Sequence, residues 1–114
     1  MPPARLILGQ TLAFHADPFT VAPEVRNRTE IQRVLEEAYP EELRNAGIGG
    51  TTVVHFFIDE TGRVGNTVVD QASGHAALDE AALEVARQFE FTPAETRGEA
   101  VPVWISIPIV FQSR

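Results

Sequence analysis

At 114 residues the chain is long enough for one domain with a modest core. A hydrophobic fraction of 44% with 22% charged residues argues against disorder, and the absence of cysteine excludes disulfides, thiol nucleophiles and thiolate metal sites. The net charge of −7, with only nine basic residues, disfavours anionic membrane surfaces and nucleic acid as partners.

The first part of the sequence contains no targeting or membrane-spanning pattern. Its longest uninterrupted apolar run, Leu6-Ile7-Leu8, is far too short for a signal-peptide core or a spanning helix. Two interpretations stay open: Met1 begins a soluble protein, or it begins a piece of a longer chain.

Residues 1–28 are predicted to form a segment separate from the domain at residues 29–114. Prolines interrupt this segment and no helical period survives between them. Apolar residues between Leu6 and Phe14, with Gly9-Gln10 in the middle, give a weak signal for a strand or a bulged strand. The alternatives are a mobile tail and an extra strand that covers a sheet edge in its own molecule or a neighbour.

The first helix is predicted to begin at Thr29. Thr29 and Gln32 have the spacing of a capping box, in which each side chain bonds a backbone N–H near the helix start. An apolar stripe at helical spacing then predicts a buried face, formed by Ile31, Val34, Leu35 and Ala38. Pro40 should end this helix, because proline disfavours helical geometry at the residue before it.

A short second helix should follow Pro40. Proline suits a first helical turn, and the acidic pair Glu41 and Glu42 favours the positive end of a helix. Gly47 stands where a left-handed residue commonly ends a helix.

A hairpin is predicted from Thr51 to Asp70. The first strand, Thr51–Ile58, should direct one alternating set of side chains to the core, namely Thr52, Val54, Phe56 and Ile58. The turn Asp59–Gly62 supplies polar residues and a glycine for positive φ, and the second strand runs from Val64 to Asp70. Its alternation is inconsistent unless a bulge lies near Gly65.

A helix from about His75 to Gln88 and a long last strand complete the predicted elements. Ser73 or His75 should cap the helix, whose buried stripe is Leu78, Ala81, Ala82, Val85 and Phe89. Strict alternation from Val101 to Phe111 is the strongest strand signal in the chain.

The order helix, strand, strand, helix, strand predicts an α+β fold. We expect a three-stranded antiparallel sheet with two helices packed on one face, and the first hairpin strand in the middle. The last strand should be an edge, because Pro108 lacks a backbone N–H for a ladder. Such an edge can pair with an extended peptide.

In this order, the motifs resemble the C-terminal domain of the TonB energy-transducer family. They are Tyr39-Pro40-Glu41-Glu42-Leu43, Gly47-Ile48-Gly49-Gly50, the turn Asp59–Val64, Ser73-Gly74, Leu78–Leu83, Phe89–Ala94 and the strand Val101–Phe111. The resemblance covers about the last two thirds of the chain.

The resemblance implies a periplasmic module that docks the extended N-terminal peptide of outer-membrane TonB-dependent transporters. Docking would add the peptide alongside the last strand, during import driven by the proton gradient. The implied partner-binding residues are Tyr39, Pro40, Trp104, Ile105, Ser106, Ile107, Pro108, Ile109, Val110 and Phe111. The family's inner-membrane anchor and Pro-rich spacer are not in this sequence, so an ExbB/ExbD-type motor could act only through such a segment.

The alternative function is a self-associating domain, a strand-exchanged homodimer with a structural or sensory role in another envelope protein. Enzyme function is not expected, and we assign no catalytic residues, cofactors or metal ligands. The three histidines, His15, His55 and His75, lie in different predicted elements without metal-ligand spacing.

Overall fold

The computed structural model describes residues 4–6, 13–14 and 21–112. Three helices and seven strands lie in this part of the chain. In chain order they are β1 (Ala4–Leu6), β2 (Ala13–Phe14), α1 (Arg28–Ala38), α2 (Glu41–Asn45), β3 (Gly50–Ile58), β4 (Val64–Gln71), α3 (Ala76–Ala86), β5 (Ala94–Thr96), β6 (Glu99–Val101) and β7 (Val103–Phe111).

The main sheet is built on β3, which pairs antiparallel with β4 on one side and β7 on the other. The β3–β7 ladder is continuous from Gly50 opposite Phe111 to Ile58 opposite Val103. This three-stranded antiparallel sheet, with its helices, confirms the predicted α+β class and the central position of the first hairpin strand. Both β1 and β2 add to the far side of β7, and β5 and β6 form a separate hairpin.

The core lies between the sheet and the helices. On β3 the predicted inward set is buried, while the alternate residues Val53, His55 and Phe57 are half-buried. Helix α1 contributes buried Ile31 and Leu35. The stripe predicted for α3 is also buried, and it consists of Leu78, Ala81, Ala82, Val85 and Phe89. Small alanines on this stripe let the helix approach the sheet closely.

Helix α1 begins one residue earlier than predicted, and its cap is Asn27 rather than Thr29. Thr29 is exposed within the first turn. The Asn27 side chain donates to the Glu30 carboxylate at 2.7 Å and to the carbonyl of Gln88 at 2.7 Å, and its oxygen accepts the N–H of Glu90 at 3.0 Å. The capping-box prediction was therefore wrong. A capping box involves only residues close in sequence, whereas Asn27 bonds the distant residues Gln88 and Glu90.

The predicted end of α1 at Tyr39 and the short helix after Pro40 are confirmed. Gly47 has φ of +75°, the left-handed conformation expected of it. Its N–H donates to the carbonyl of Arg44 at 3.1 Å, so the helix end is closed by backbone bonds.

The β3–β4 hairpin turns through an Asp59 side chain that accepts three hydrogen bonds. The donors are the N–H and hydroxyl of Thr61 and the N–H of Arg63. The Thr61 hydroxyl, more than the charge of Arg63, holds the pKa of Asp59 below its ordinary value. After the turn, the register between β3 and β4 slips at Gly65, which confirms the predicted bulge.

Pro102 divides the predicted last strand into β6 and β7. The turn before β6 contains Arg97 and Gly98, both at positive φ. Because these conformations reverse the chain tightly, Ala94–Thr96 folds back on Glu99–Val101 as a small hairpin. Alternation alone did not predict this break.

A polar contact joins α3 to the sheet. One Asp79 carboxylate oxygen accepts the hydroxyl of buried Thr52 at 2.7 Å and the N–H of Ser73 at 2.8 Å. Partial burial alone would raise the pKa of Asp79, but these hydrogen bonds hold it below its ordinary value. Ser73 also accepts the N–H of His75, the N-cap residue, at 3.1 Å.

Burial of the last strand can be tested at Ile107, which has 0% of its surface exposed. We expect Ile107→Ala to lower the free energy of unfolding by roughly 2–4 kcal/mol, because the lost methyl groups leave a cavity, and Ile107→Val by roughly 0.5–1.5 kcal/mol. Chemical denaturation measures both. Val68→Ala, at a site 49% exposed, is the surface control. A loss below about 0.5 kcal/mol for Ile107→Ala would place Ile107 on the surface.

Asn27 and Thr29 give a matched test of the helix start. Asn27→Ala should cost about 1–2 kcal/mol of stability, because it removes the side-chain hydrogen bonds to the backbone of Gln88 and Glu90. Thr29→Ala should stay within about 0.5 kcal/mol of the original protein. Urea denaturation separates the two variants, and the reverse ranking would restore Thr29 as the cap.

Candidate functional site

The expected partner-binding residues of β7 alternate between two faces of the sheet. Ile105, Ile107, Ile109 and Phe111 point into the core and are buried. Their side chains therefore contact other core residues of the same chain. Any partner that meets these residues does so through their backbone groups at the strand edge.

The opposite face of β7 carries Trp104, Ser106, Pro108 and Val110. Trp104 and Val110 are half-exposed, whereas Ser106 and Pro108 are buried. The centroid of the Trp104 ring lies 4.8 Å from that of the His55 ring and 5.2 Å from that of the Phe57 ring. These three rings form an aromatic patch on the sheet face opposite the helices.

Tyr39 lies in the core rather than on an open docking surface. Its side chain is 2% exposed, its ring centroid lies 5.2 Å from that of Phe111, and its hydroxyl donates to the carbonyl of Ile48 at 2.6 Å. Burial raises the pKa of this hydroxyl, and the charge of Arg44 opposes that rise. Tyr39 thus supports the end of β7 from beneath, while Pro40 beside it is half-buried.

The outer edge of β7 is occupied, and the prediction that the last strand is an edge was wrong. Antiparallel pairing with β1 places Ala4 opposite Phe111 and Leu6 opposite Ile109. Pairing with β2 places Ala13 opposite Ser106 and Phe14 opposite Ile105. Both β1 and β2 thus lie along the outer edge of β7.

The described pairs of β1 and β2 lie opposite Ile105–Ser106 and Ile109–Phe111. Between them, Pro108 has no N–H to donate to a ladder. Residues 7–12, including the bulge expected at Gly9-Gln10, lie outside the described part of the chain, as does His15.

In residues 4–6, 13–14 and 21–112 there is no cluster of three His, Asp or Glu side chains that could hold a metal ion. Within the same ranges, no helix is both long and apolar enough to cross a lipid bilayer.

A groove that the sequence did not predict lies near the start of β4, away from β7. Arg26, Arg63 and Arg87 line it, together with Phe89 and Phe91 on the core side. These arginines are far apart in the sequence and belong to different segments, so no spacing pattern could have brought them together.

The chain was compared with known proteins. The family model described as Gram-negative bacterial TonB protein C-terminal matches residues 36–113. Protein TonB of Vibrio cholerae is 35% identical over 78 residues, which are 68% of this chain and 32% of that protein. Protein tonB2 of Pseudomonas aeruginosa is 31% identical over 74 residues, 65% of this chain and 27% of that protein.

Protein TonB of Xanthomonas campestris is 29% identical over 73 residues, covering 64% of this chain and 33% of that protein. The chain therefore spans about a third of the length of these curated relatives. The family match extends over most of the chain, from the end of α1 to the end of β7. On this match and on its fold, the chain belongs to the TonB C-terminal domain family.

Proposed function

We propose that this domain docks the extended N-terminal peptide of an outer-membrane TonB-dependent transporter by strand addition at β7. The binding surface would be the outer edge of β7, flanked by Trp104 and Val110. The domain would act in the periplasm, as the partner-binding end of a transducer that uses the proton gradient. An inner-membrane anchor elsewhere in the full-length protein would couple it to a motor of the ExbB/ExbD type.

The observation that carries this proposal is the pairing of β7 with β1 and β2. An extended segment already lies antiparallel along the outer edge, opposite Ile105–Ser106 and Ile109–Phe111. An incoming peptide can use the same backbone donors and acceptors in the same geometry. The edge is thus suited to a strand partner.

Docking at this edge requires β1 and β2 to leave. The exchange replaces one set of backbone hydrogen bonds by an equivalent set, so no backbone donor or acceptor of β7 is left unpaired. The side chains of Trp104 and Val110 are half-exposed and can add contacts to the peptide. Since the peptide also loses conformational freedom, we expect a dissociation constant of about micromolar or weaker.

The docking test titrates the chain with a transporter peptide while amide chemical shifts are followed by NMR. Shifts should concentrate in residues 104–111 and near Tyr39. A proline in the middle of the peptide should weaken binding more than scrambling its side chains, because backbone pairing dominates.

The matched variant is the double substitution Arg5→Pro and Leu6→Pro. Alternate residues of a strand direct their N–H to a given neighbour, so one of these prolines removes a donor to β7. Weakening β1 should therefore tighten peptide binding several-fold. Shifts confined to Val53, His55 and Phe57, with β7 silent, would contradict docking at the edge.

The same variant addresses the alternative of a strand-exchanged homodimer. If β1 and β2 pair with β7 of a second copy, the unsubstituted chain should be a dimer in light scattering and the variant a monomer. A monomeric chain in both forms would exclude strand exchange at this edge.

A further inference from the structure

The groove lined by Arg26, Arg63 and Arg87 lies beyond the start of β4, on the side of β3 away from β7. We call it the arginine groove. Its volume is about 570 Å³, and a recess of about 280 Å³ beside it shares Val64 and Arg87. Both lie apart from the edge of β7, so the groove is a second surface, independent of the docking proposed above.

Backbone pairing around Glu90 brings the arginines together. Glu90 forms an antiparallel bridge with Arg63 on one side, and its carbonyl accepts the N–H of Arg26 at 2.7 Å on the other. Its own N–H donates to the side chain of Asn27. Arg87, the residue that ends α3, comes from the same short connection. Three segments of the chain thus bring the backbones of the arginines together, while their side chains are exposed.

The base of the groove is rigid. Gly62 has φ of +88°, and a side-chain carbon at this position would lie 2.0 Å from the carbonyl oxygen of Phe91. Only glycine allows the turn to press this closely on the neighbouring segment. The rings of Phe89 and Phe91, both buried, stack at 5.6 Å beneath it.

The positive charge of the groove is only partly compensated, because three arginines share its lining with one carboxylate and the charge of Arg63 also acts on Asp59. Among the described residues the ion pair is Arg33 with Glu37, and none of the three groove arginines takes part in one. Glu90 is the single carboxylate in the lining. The chain as a whole carries a net charge of −7 and has no lysine. A concentration of guanidinium groups outside any ion pair, in such an acidic protein, favours an anionic ligand.

We propose that the arginine groove binds the carboxylates of an acidic protein segment. A guanidinium group is planar, and its N–H donors match the two oxygens of a carboxylate. Three such groups along one groove can bind acidic side chains that are spaced along a peptide. Long polyanions fit less well, because the net negative charge of the chain repels them as they approach.

The segment would bind through its side chains rather than as an added strand. The register of β4 against β3 slips at two places, at Gly65 and at Asp70, and such bulges disturb the regular edge that strand pairing needs. The side chain of Asn66 also accepts the N–H of Thr67 at 2.9 Å, which occupies a donor of this strand. Charge, not backbone pairing, should therefore dominate binding at this side.

The test titrates the full chain with a capped peptide of alternating glutamate and glycine, followed by NMR at low and moderate salt. Shifts should appear at Arg26, Arg63 and Arg87 and weaken as salt rises. Each of R26Q, R63Q and R87Q should weaken binding about two- to fivefold, and the triple variant should abolish it. Glu90→Gln should strengthen binding about two- to threefold, because it removes the opposing carboxylate.

The control variant is Arg44→Gln, which removes the same charge beside Tyr39 and should change the affinity by less than about twofold. A matched peptide of glutamine and glycine should not bind. Equal binding of the two peptides, or an equal loss in Arg44→Gln, would overturn the proposal. It would also be overturned if inorganic phosphate bound at least as tightly with the same arginine dependence, since the groove would then be a simple anion site.

Discussion

The pairing of β3 with β7 is the contact on which the other parts of the structure depend. It runs without a register shift from Gly50 opposite Phe111 to Ile58 opposite Val103. The inward side chains of both strands are buried together, and fully burying each large one contributes roughly 1.5–3 kcal/mol. Helices α1 and α3 cover this face, so the ladder and the core stabilise each other.

This constraint also determines which parts of β7 remain for binding. With its inward side chains buried and one edge bonded to β3, the strand has only its outer edge and the side chains of Trp104 and Val110 to offer. In the structure β1 and β2 occupy that edge. Under the proposed function, the intramolecular strand and the partner peptide compete for the same backbone groups.

The two proposed surfaces lie on opposite sides of β3 and use different physics. The edge of β7 would bind an extended partner through backbone hydrogen bonds, which depend little on the partner's sequence. The arginine groove would select through charge, which salt screens. One partner chain could bind both surfaces, or two partner chains could bind one surface each.

Periodicity predicted much of the fold because burial follows it closely. The inward set of β3, the stripe of α3 and the bulge at Gly65 all follow from alternation, helical spacing and turn chemistry. These signals are local in the sequence, and the structure confirms them.

Contacts between distant segments explain what the sequence did not predict. Asn27 caps α1 while bonding Gln88 and Glu90, a contact without any local signal. Tyr39 belongs to the core through Phe111 and Ile48, although the family resemblance implied a partner-binding role for it. The arginine groove likewise depends on the bridge between Arg63 and Glu90, which only the folded chain contains.

Under the proposed function, the N-terminal strand and a partner peptide exclude one another at β7. A disulfide tests it directly, because the chain has no cysteine of its own and Arg5 lies opposite Val110. Antiparallel partners have Cα atoms about 4.5–5.5 Å apart, within the range that a disulfide spans.

The measurement is the affinity of the transporter peptide for the Arg5→Cys, Val110→Cys variant, oxidised and then reduced. We expect no detectable binding while the disulfide holds β1 on β7, and we expect the reductant to restore binding. Equal affinity in the two states would show that the peptide does not need this edge, and would contradict docking at β7.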